Sequence, residues 1–490
     1  MKNIFKFNKE DWGLLTGILV PLLLYFINPL HLEPAASKVL AVASLMVVWW
    51  VTEALPMPVV ALVPLVLFPL FKIASVKDTA LSYGDSIIFL FMGGFLLGLA
   101  IEKWNLHKRI ALGIVSITGT SGDRIVLGFI LATGFISMWL SNTATTMMMF
   151  PIAASVIHVV KENHRGDGHT GNFALAIMLS IAYASNFGGI ATIIGTPPNV
   201  AFVSFMEERY HYTVHFSEWM LICTPVALLL MISLYWVLTK WLYPNRIASD
   251  LATRQHITDE LKKLGPLNGP EKRVLVIFCA TALLWITRDL INLFFALPTV
   301  EKAIGAIKLD DTIIAMMGGL ALFLTPSGNR SSRGRTRILE WEDTQKMAWG
   351  ILLLFGGGIA LAGALEKAGL IKQLGQWVAG FSGSGGIVLV LVVTLVSIFV
   401  SEVMSNVAQV IVFSPVIAGI SDALGMNPLL LGIPMTLAAS CASMLPMGTP
   451  PNAIVFASGH IKLGQMLKTG LIMNLIAIVL IVLFSWWGLR

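Results

Sequence analysis

Two tripeptides, Ser141-Asn142-Thr143 and Ser405-Asn406-Val407, lie 264 residues apart, and much of the chain around them repeats at the same offset. Phe91 maps onto Phe355, Gly93-Gly94 onto Gly357-Gly358, Glu102-Lys103 onto Glu366-Lys367, Leu106 onto Leu370, Ser137 onto Ser401 and Pro151 onto Pro415. A pentapeptide, Gly-Thr-Pro-Pro-Asn, stands at 195–199 and again at 448–452, an offset of 253, so one loop of the second copy is eleven residues shorter. Both halves are apolar, and each is broken at the same two places by small polar residues. Such a pattern implies two structural repeats whose breaks face a central site, as in carriers that move solutes across a bilayer.

Composition supplies the bilayer. The chain of 490 residues is 56% hydrophobic and 12% charged, with a mean hydropathy of +0.80. So few charges cannot cover the surface of a soluble protein this long, so the fold class is an all-α polytopic membrane protein. The net charge of +6 is mild, and nothing points to a nucleic-acid partner. Cys223, Cys279 and Cys441 all fall in apolar segments without pairing or metal spacing, which favours free thiols. The basic start MKNIFKFNKEDW precedes an apolar run with no cleavage signature and reads as a retained first span.

Apolar runs bounded by charge, Pro or Gly predict eleven spans, near 12–29, 37–55, 57–72, 85–102, 172–205, 218–242, 273–295, 311–325, 349–366, 429–459 and 467–488. The runs 172–205 and 429–459 are long enough to be half-helices around the Gly-Thr-Pro-Pro-Asn motifs. Segments 125–160 and 386–423 differ. Each has an apolar arm of about 16 residues, roughly 24 Å as helix, then Ser-Asn, then a second arm with a proline. Re-entrant hairpins with Ser-Asn at the tip are the economical expectation, with two full spans each as the alternative. With the N-terminus cytoplasmic, 23 of the 33 Lys and Arg residues fall inside, seven of them in 240–273 and five in 330–346. That places the C-terminus outside and makes the halves inverted repeats. Residues 1–36 form an N-terminal segment and first helix, 37–242 repeat 1, 243–272 a polar cytoplasmic linker and 273–490 repeat 2. The stretch 327–337 reads as a flexible basic loop.

Ser-Asn at a break offers a hydroxyl, an amide and free backbone groups at one point. Neutral oxygens of this kind hold a sodium ion without a buried carboxylate, and the start of the following half-helix favours an anion. Ser137 and Ser401, four residues before each tip serine, share its helical face. Gly, Pro and Pro in the second motif free backbone carbonyls that Asn199 and Asn452 can satisfy. The plainer alternatives are interhelical hydrogen bonds and proline kinks, and two copies in register weigh against them. The Gly pairs at 93–94 and 356–358 read as close helix packing. Glu102 and Glu366, each followed by Lys, read as interfacial ion pairs, and Arg288-Asp289 as a local pair. Glu53 and Glu402 are the acids nearest membrane depth, with capping or packing ahead of proton carriage. The fourteen Trp read as interface belts and core, and the nine His form no ligand pattern. Nothing matches a P-loop, HExxH or CxxC, so an enzyme or ATP-driven pump is not expected.

SNTAT at 141–145, SNVA at 405–408, the paired GTPPN, WVTEALP at 50–56 and WGILLLFGGGIALA at 349–362 resemble the divalent anion–sodium symporter family, which includes INDY-type bacterial dicarboxylate carriers. The resemblance covers essentially the whole chain. It implies a homodimer in the cell's inner (plasma) membrane, with a scaffold domain and a mobile transport domain working as an elevator. It implies two sodium sites, one at Ser137, Ser141, Asn142 and Gly195, the other at Ser401, Met404, Asn406 and Gly448. Substrate carboxylates would meet Asn142, Thr143 and Asn406, with Thr196, Pro198, Thr449 and Pro451 shaping the pocket. Val407 stands where many bacterial members carry Thr, so one hydrogen bond worth about 0.5–1.5 kcal/mol is missing or supplied elsewhere. The implied function is sodium-coupled uptake of C4-dicarboxylates such as succinate, malate or fumarate. The alternatives are a sodium-independent exchanger, a citrate or sulfate carrier and, in a different class, an anion channel.

Overall fold

The computed structural model describes residues 9–29, 31–163, 169–245, 247, 251–297, 308–331, 334–373, 376 and 386–489. The basic start at 1–8 lies outside them. Every predicted apolar run is helical, because a chain in hydrocarbon must satisfy its own backbone groups. Among the described residues, eight helical stretches are long and apolar enough to cross a membrane. The run at 57–72 divides into Met57–Val60 and Val63–Leu70, and 311–325 gives the short helix Asp311–Leu324. Local signals set the ends. Asn268 and Glu271 form a reciprocal capping box that opens Gly269–Phe295, and the Asp310 side chain accepts from Ile313 N at 2.7 Å to open the next helix.

Both Ser-Asn segments are helical pairs, Gly122–Ser137 with Asn142–Asn163 and Ile387–Val400 with Asn406–Leu424. The incoming arms have 16 and 14 residues, too few at 1.5 Å each to cross a core of about 30 Å. The outgoing arms, with 22 and 19 residues, are longer than expected and carry Pro151 and Pro415. Both arms of each pair pack on the first half of the nearby broken helix, His169–Gly189 or Pro428–Ser440.

The second halves of the broken helices cross over. Pro197–Tyr210 packs on Asn406–Leu424, and Pro450–Phe456 packs on Asn142–Asn163. Phe91 packs against Phe355, its own counterpart at offset 264, with ring centroids 5.4 Å apart and the rings tilted by 60°. The paired glycines make the close packing read from sequence. A Cβ on Gly93 would sit 2.5 Å from the Ala315 backbone, and one on Gly357 would sit 2.3 Å from the Ala61 carbonyl.

Three expectations change. The stretch 327–337 forms a β-hairpin, Pro326–Ser331 paired antiparallel with Gly334–Arg337, which lets short segments outside the helices satisfy each other's backbone; 332–333 lie outside the described residues. The polar linker contains a helix, Leu251–Lys263. The charged residues at the span ends pair across the fold rather than with their sequence neighbours. Lys103 meets Asp343 at 2.6 Å, and Arg209 joins Glu366 and Asp422. Arg288 and Asp289 do form the local pair at 2.6 Å, and buried Arg288 also reaches Asp311 at 3.2 Å.

Candidate transport site

The four breaks converge on one cavity of about 650 Å³, inside the range of small-molecule sites. Ser141, Asn142 and Thr143 reach it from one hairpin and Met404, Ser405, Asn406 and Val407 from the other. Thr196, Pro197 and Pro198 line it from one broken helix, and Gly448, Thr449, Pro450 and Pro451 from the other. Four helices therefore begin at its wall, at Asn142, Pro197, Asn406 and Pro450, and their positive ends favour an anion there. Among the described residues the lining holds one charged side chain, Glu53, and no lysine or arginine.

Ser137 and Ser401 lie just behind the wall and are fully buried. Each hydroxyl meets the amide oxygen of the nearby tip asparagine, Ser137 with Asn142 Oδ1 at 2.9 Å and Ser401 with Asn406 Oδ1 at 2.7 Å. Two oxygens this close can share one small cation if the hydroxyl turns its hydrogen away. Gly195 is buried beside them. A Cβ there would fall 2.4 Å from the Gly189 carbonyl and 2.9 Å from that of Ser137, so only glycine lets these carbonyls approach.

The unwound loops are tied by the motif asparagines. Asn199 Nδ2 donates to Thr192 O at 2.8 Å and Gly189 O at 3.2 Å. Asn452 Nδ2 donates to Leu445 O at 3.1 Å and Ala442 O at 3.5 Å. Both pairs of carbonyls stand at the same 253-residue offset, so one device holds both breaks. It supplies the partners that the proline-interrupted backbone lacks.

One polar residue, Asn186, escaped the sequence reading, and another, Glu402, was read only as an acid near membrane depth. Asn186, fully buried, bridges the halves: it accepts from Asn142 Nδ2 at 3.3 Å and donates to Thr449 Oγ1 at 3.2 Å. The available signal was a third Ser-Asn, at 185–186, whose counterparts at offset 253 are Ala438 and Ala439. Glu402 is 3% exposed and its carboxylate accepts from Ser443 N, Met444 N, Leu445 N and Asn474 Nδ2, at 2.7–2.9 Å. The capping expectation fits this placement. The two threonines of the repeated pentapeptide also differ, since Thr449 caps its helix through its side chain and Thr196 does not.

A family model described as the sodium:sulfate symporter transmembrane region matches residues 8–489. The chain belongs to that family. Among curated relatives of this symporter family member, the sodium-dependent dicarboxylate transporter SdcS of Staphylococcus saprophyticus is 38% identical over 480 residues, 97% of this chain and 90% of that protein. SdcS of Staphylococcus aureus strain USA300 has the same identity and coverage. Two solved transporters share the fold at low identity. One is MtrF of Neisseria gonorrhoeae, described within a class of antimetabolite efflux pumps, with a TM-score of 0.55, 12% identity, and coverage of 84% of this chain and 83% of that one. The other is YdaH of Alcanivorax borkumensis, with a TM-score of 0.53, 15% identity, and coverage of 82% and 84%.

Proposed function

We propose that the protein is a secondary active transporter that takes up C4-dicarboxylates together with sodium. The observation that carries this is the convergence of two Ser-Asn tips and two Gly-Thr-Pro-Pro-Asn breaks on a single cavity, each tip holding a serine hydroxyl and an amide oxygen under 3 Å apart. One sodium site comprises Ser137, Ser141, Asn142 and the backbone at Gly195. The second comprises Ser401, the Met404 backbone, Asn406 and Gly448. Asn142, Thr143 and Asn406 receive the carboxylates, and Val407, Thr196, Pro198, Thr449 and Pro451 set the pocket's shape. Full-length likeness to sodium-dependent dicarboxylate transporters supports the ion and the substrate class.

The halves are inverted repeats, 37–242 and 273–490, around a pseudo-two-fold axis near Phe91 and Phe355. The crossed packing of the broken helices and the mirrored Gly93–Ala315 and Gly357–Ala61 contacts support this. The N-terminus is cytoplasmic, the C-terminus external, and both hairpins are re-entrant. In support, each ion pair between distant described segments joins two regions that the span count puts on one face: Lys103–Asp343, Arg109–Glu271 and Lys240–Asp123 inside, Arg209–Asp422 outside. Hairpins and broken helices move together as the transport domain of a homodimeric elevator in the cell's inner membrane. Proteoliposome uptake of labelled succinate, citrate and sulfate, with and without a sodium gradient and internal substrate, tests this. Concentrative, sodium-driven succinate uptake is expected. Uptake that ignores sodium but needs internal dicarboxylate would establish an exchanger instead.

A further inference from the structure

The two proposed sodium sites are not electrostatically equal. At offset 264 the residue matching Glu402 is Met138, so one repeat carries a buried carboxylate where the other carries a thioether. Glu402 Oε1 is saturated by Ser443 N, Met444 N and Asn474 Nδ2. Among the described residues Oε2 accepts only from Leu445 N, at 2.9 Å, which leaves it one lone pair. That oxygen faces the glycine of the second site: a Cβ built on Gly448 would lie 3.0 Å from Glu402 Oε2. Around Gly195 the neighbours at the same distances are neutral carbonyls, those of Gly189 and Ser137. The loop is held differently too. In the first repeat the Thr192 hydroxyl bonds Met138 O and receives Gly195 N at 3.0 Å.

We propose that the Glu402 carboxylate, held facing Gly448 of the Ser401–Asn406–Gly448 site, makes that site the tighter of the two sodium sites and the one filled first. This rests on the sodium-coupled function proposed above. The carboxylate is held by donors from the loop it faces, so a bound cation would gain attraction from a charge already fixed in place. Three backbone N–H groups and one amide offset the cost of burying that charge before any ion arrives. Among the described residues the first site has no such charge and relies on dipoles. A carrier built this way loads one ion at low sodium and the second only as the concentration rises.

The test is sodium titration of the purified, full-length protein with choline as balancing cation, read as thermal unfolding midpoint and as bound ²²Na⁺. Wild type is expected to saturate in two steps. Ser401→Ala should remove the tight step and leave the weak one, whereas Ser137→Ala should do the reverse. Glu402→Gln should weaken the tight step at least tenfold, and Glu402→Asp, which keeps the charge, should weaken it less than Gln does. The inference is overturned if Ser137→Ala removes the tight step, or if folded Glu402→Gln binds sodium as wild type does. The serine variants decide the order of the sites even if the Gln variant does not fold. If wild type shows no sodium dependence at all, the sodium-coupled function itself fails, an outcome distinct from misordered sites.

Discussion

Gly189→Ala, one methyl group in the first half of a broken helix, should disable the first of the proposed sodium sites. A Cβ at 189 would stand 2.2 Å from Asn142 Oδ1 and 3.1 Å from its Cγ, where real Cβ contacts stay above 3.0 Å. The Asn142 amide must therefore retreat by about 0.8 Å (3.0 − 2.2). It is held on two sides, by Ser137 Oγ at 2.9 Å and Asn186 Oδ1 at 3.3 Å, and a shift of that size costs one or both bonds. Each is worth about 1 kcal/mol, and overpacking a buried helix contact adds about 1–3 kcal/mol. If half of that falls on the ion-bound state, sodium affinity drops about tenfold, since about 1.4 kcal/mol is a factor of ten. Strict symmetry would predict the opposite, because the counterpart at offset 253 is already alanine, Ala442. Gly464→Ala is the control: nothing lies within 4 Å of its added Cβ, and a helical Gly→Ala change is neutral or stabilising by up to about 1 kcal/mol. Sodium titration by thermal shift, paired with proteoliposome uptake, reads both variants. If Gly189→Ala keeps wild-type sodium and succinate affinities, Asn142 does not sit where this chemistry needs it.

Asn142→Ala and Asn406→Ala should each abolish saturable succinate uptake while size-exclusion chromatography still shows an assembled protein; near-normal uptake in both would remove the site assignment. Val407→Thr adds one hydroxyl at the cavity wall and should alter substrate affinity by up to about tenfold, the worth of a hydrogen bond of about 0.5–1.5 kcal/mol. Competition by citrate, sulfate and C4-dicarboxylates reads this, and an unchanged profile means position 407 does not face the ligand. Asn452→Ala strips the amide donors from Leu445 O and Ala442 O and should cost about 1–3 kcal/mol of stability, seen as a lower unfolding midpoint with or without sodium. A midpoint unchanged from wild type would show that the loop does not depend on this tether.

The helices were legible because hydrocarbon admits almost nothing else, so each apolar run could become only one thing. The cavity was legible because the breaks come in pairs. Thr143 and Val407, Thr196 and Thr449, paired by their shared offsets, all line it. Symmetry also set the limit. Asn186 has no polar mate, so a search for pairs passes over it, although it joins Asn142 to Thr449. Glu402 stood out as an acid at membrane depth, but its partners are mostly backbone amides of 443–445, which no side-chain pattern records. The crossing of Pro197–Tyr210 onto Asn406–Leu424 was equally hidden, since span lengths do not say which half a helix meets. Lys103 chose Asp343 over the adjacent Glu102 because neighbouring residues on a helix point apart.

A cavity lined by one acid, Glu53, and by no described lysine or arginine needs a source of positive potential if it is to hold the proposed dianion, and the four helix starts do not supply it alike. Pro197 and Pro198, like Pro450 and Pro451, occupy the first helical positions and have no N–H to give. The next N–H on each is already used, Asn199 N by Thr196 O at 3.2 Å and Asn452 N by Thr449 Oγ1 at 3.4 Å. These ends keep their dipole but offer a carboxylate almost no donors. The hairpin helices that begin at Asn142 and Asn406 have no proline in their first turn; Ser141 Oγ takes Ala144 N at 3.3 Å, and the remaining N–H groups of such a start have no partner within the helix. On the proposed function, the substrate's carboxylates therefore belong between the two hairpin starts, and each sodium ion belongs behind them, between a tip and a proline-rich loop. Cations so placed fill the role that an arginine would fill in a site with fixed positive charge. They also leave with the substrate, so the emptied cavity returns with no net positive charge to hold an anion, which is what coupling requires.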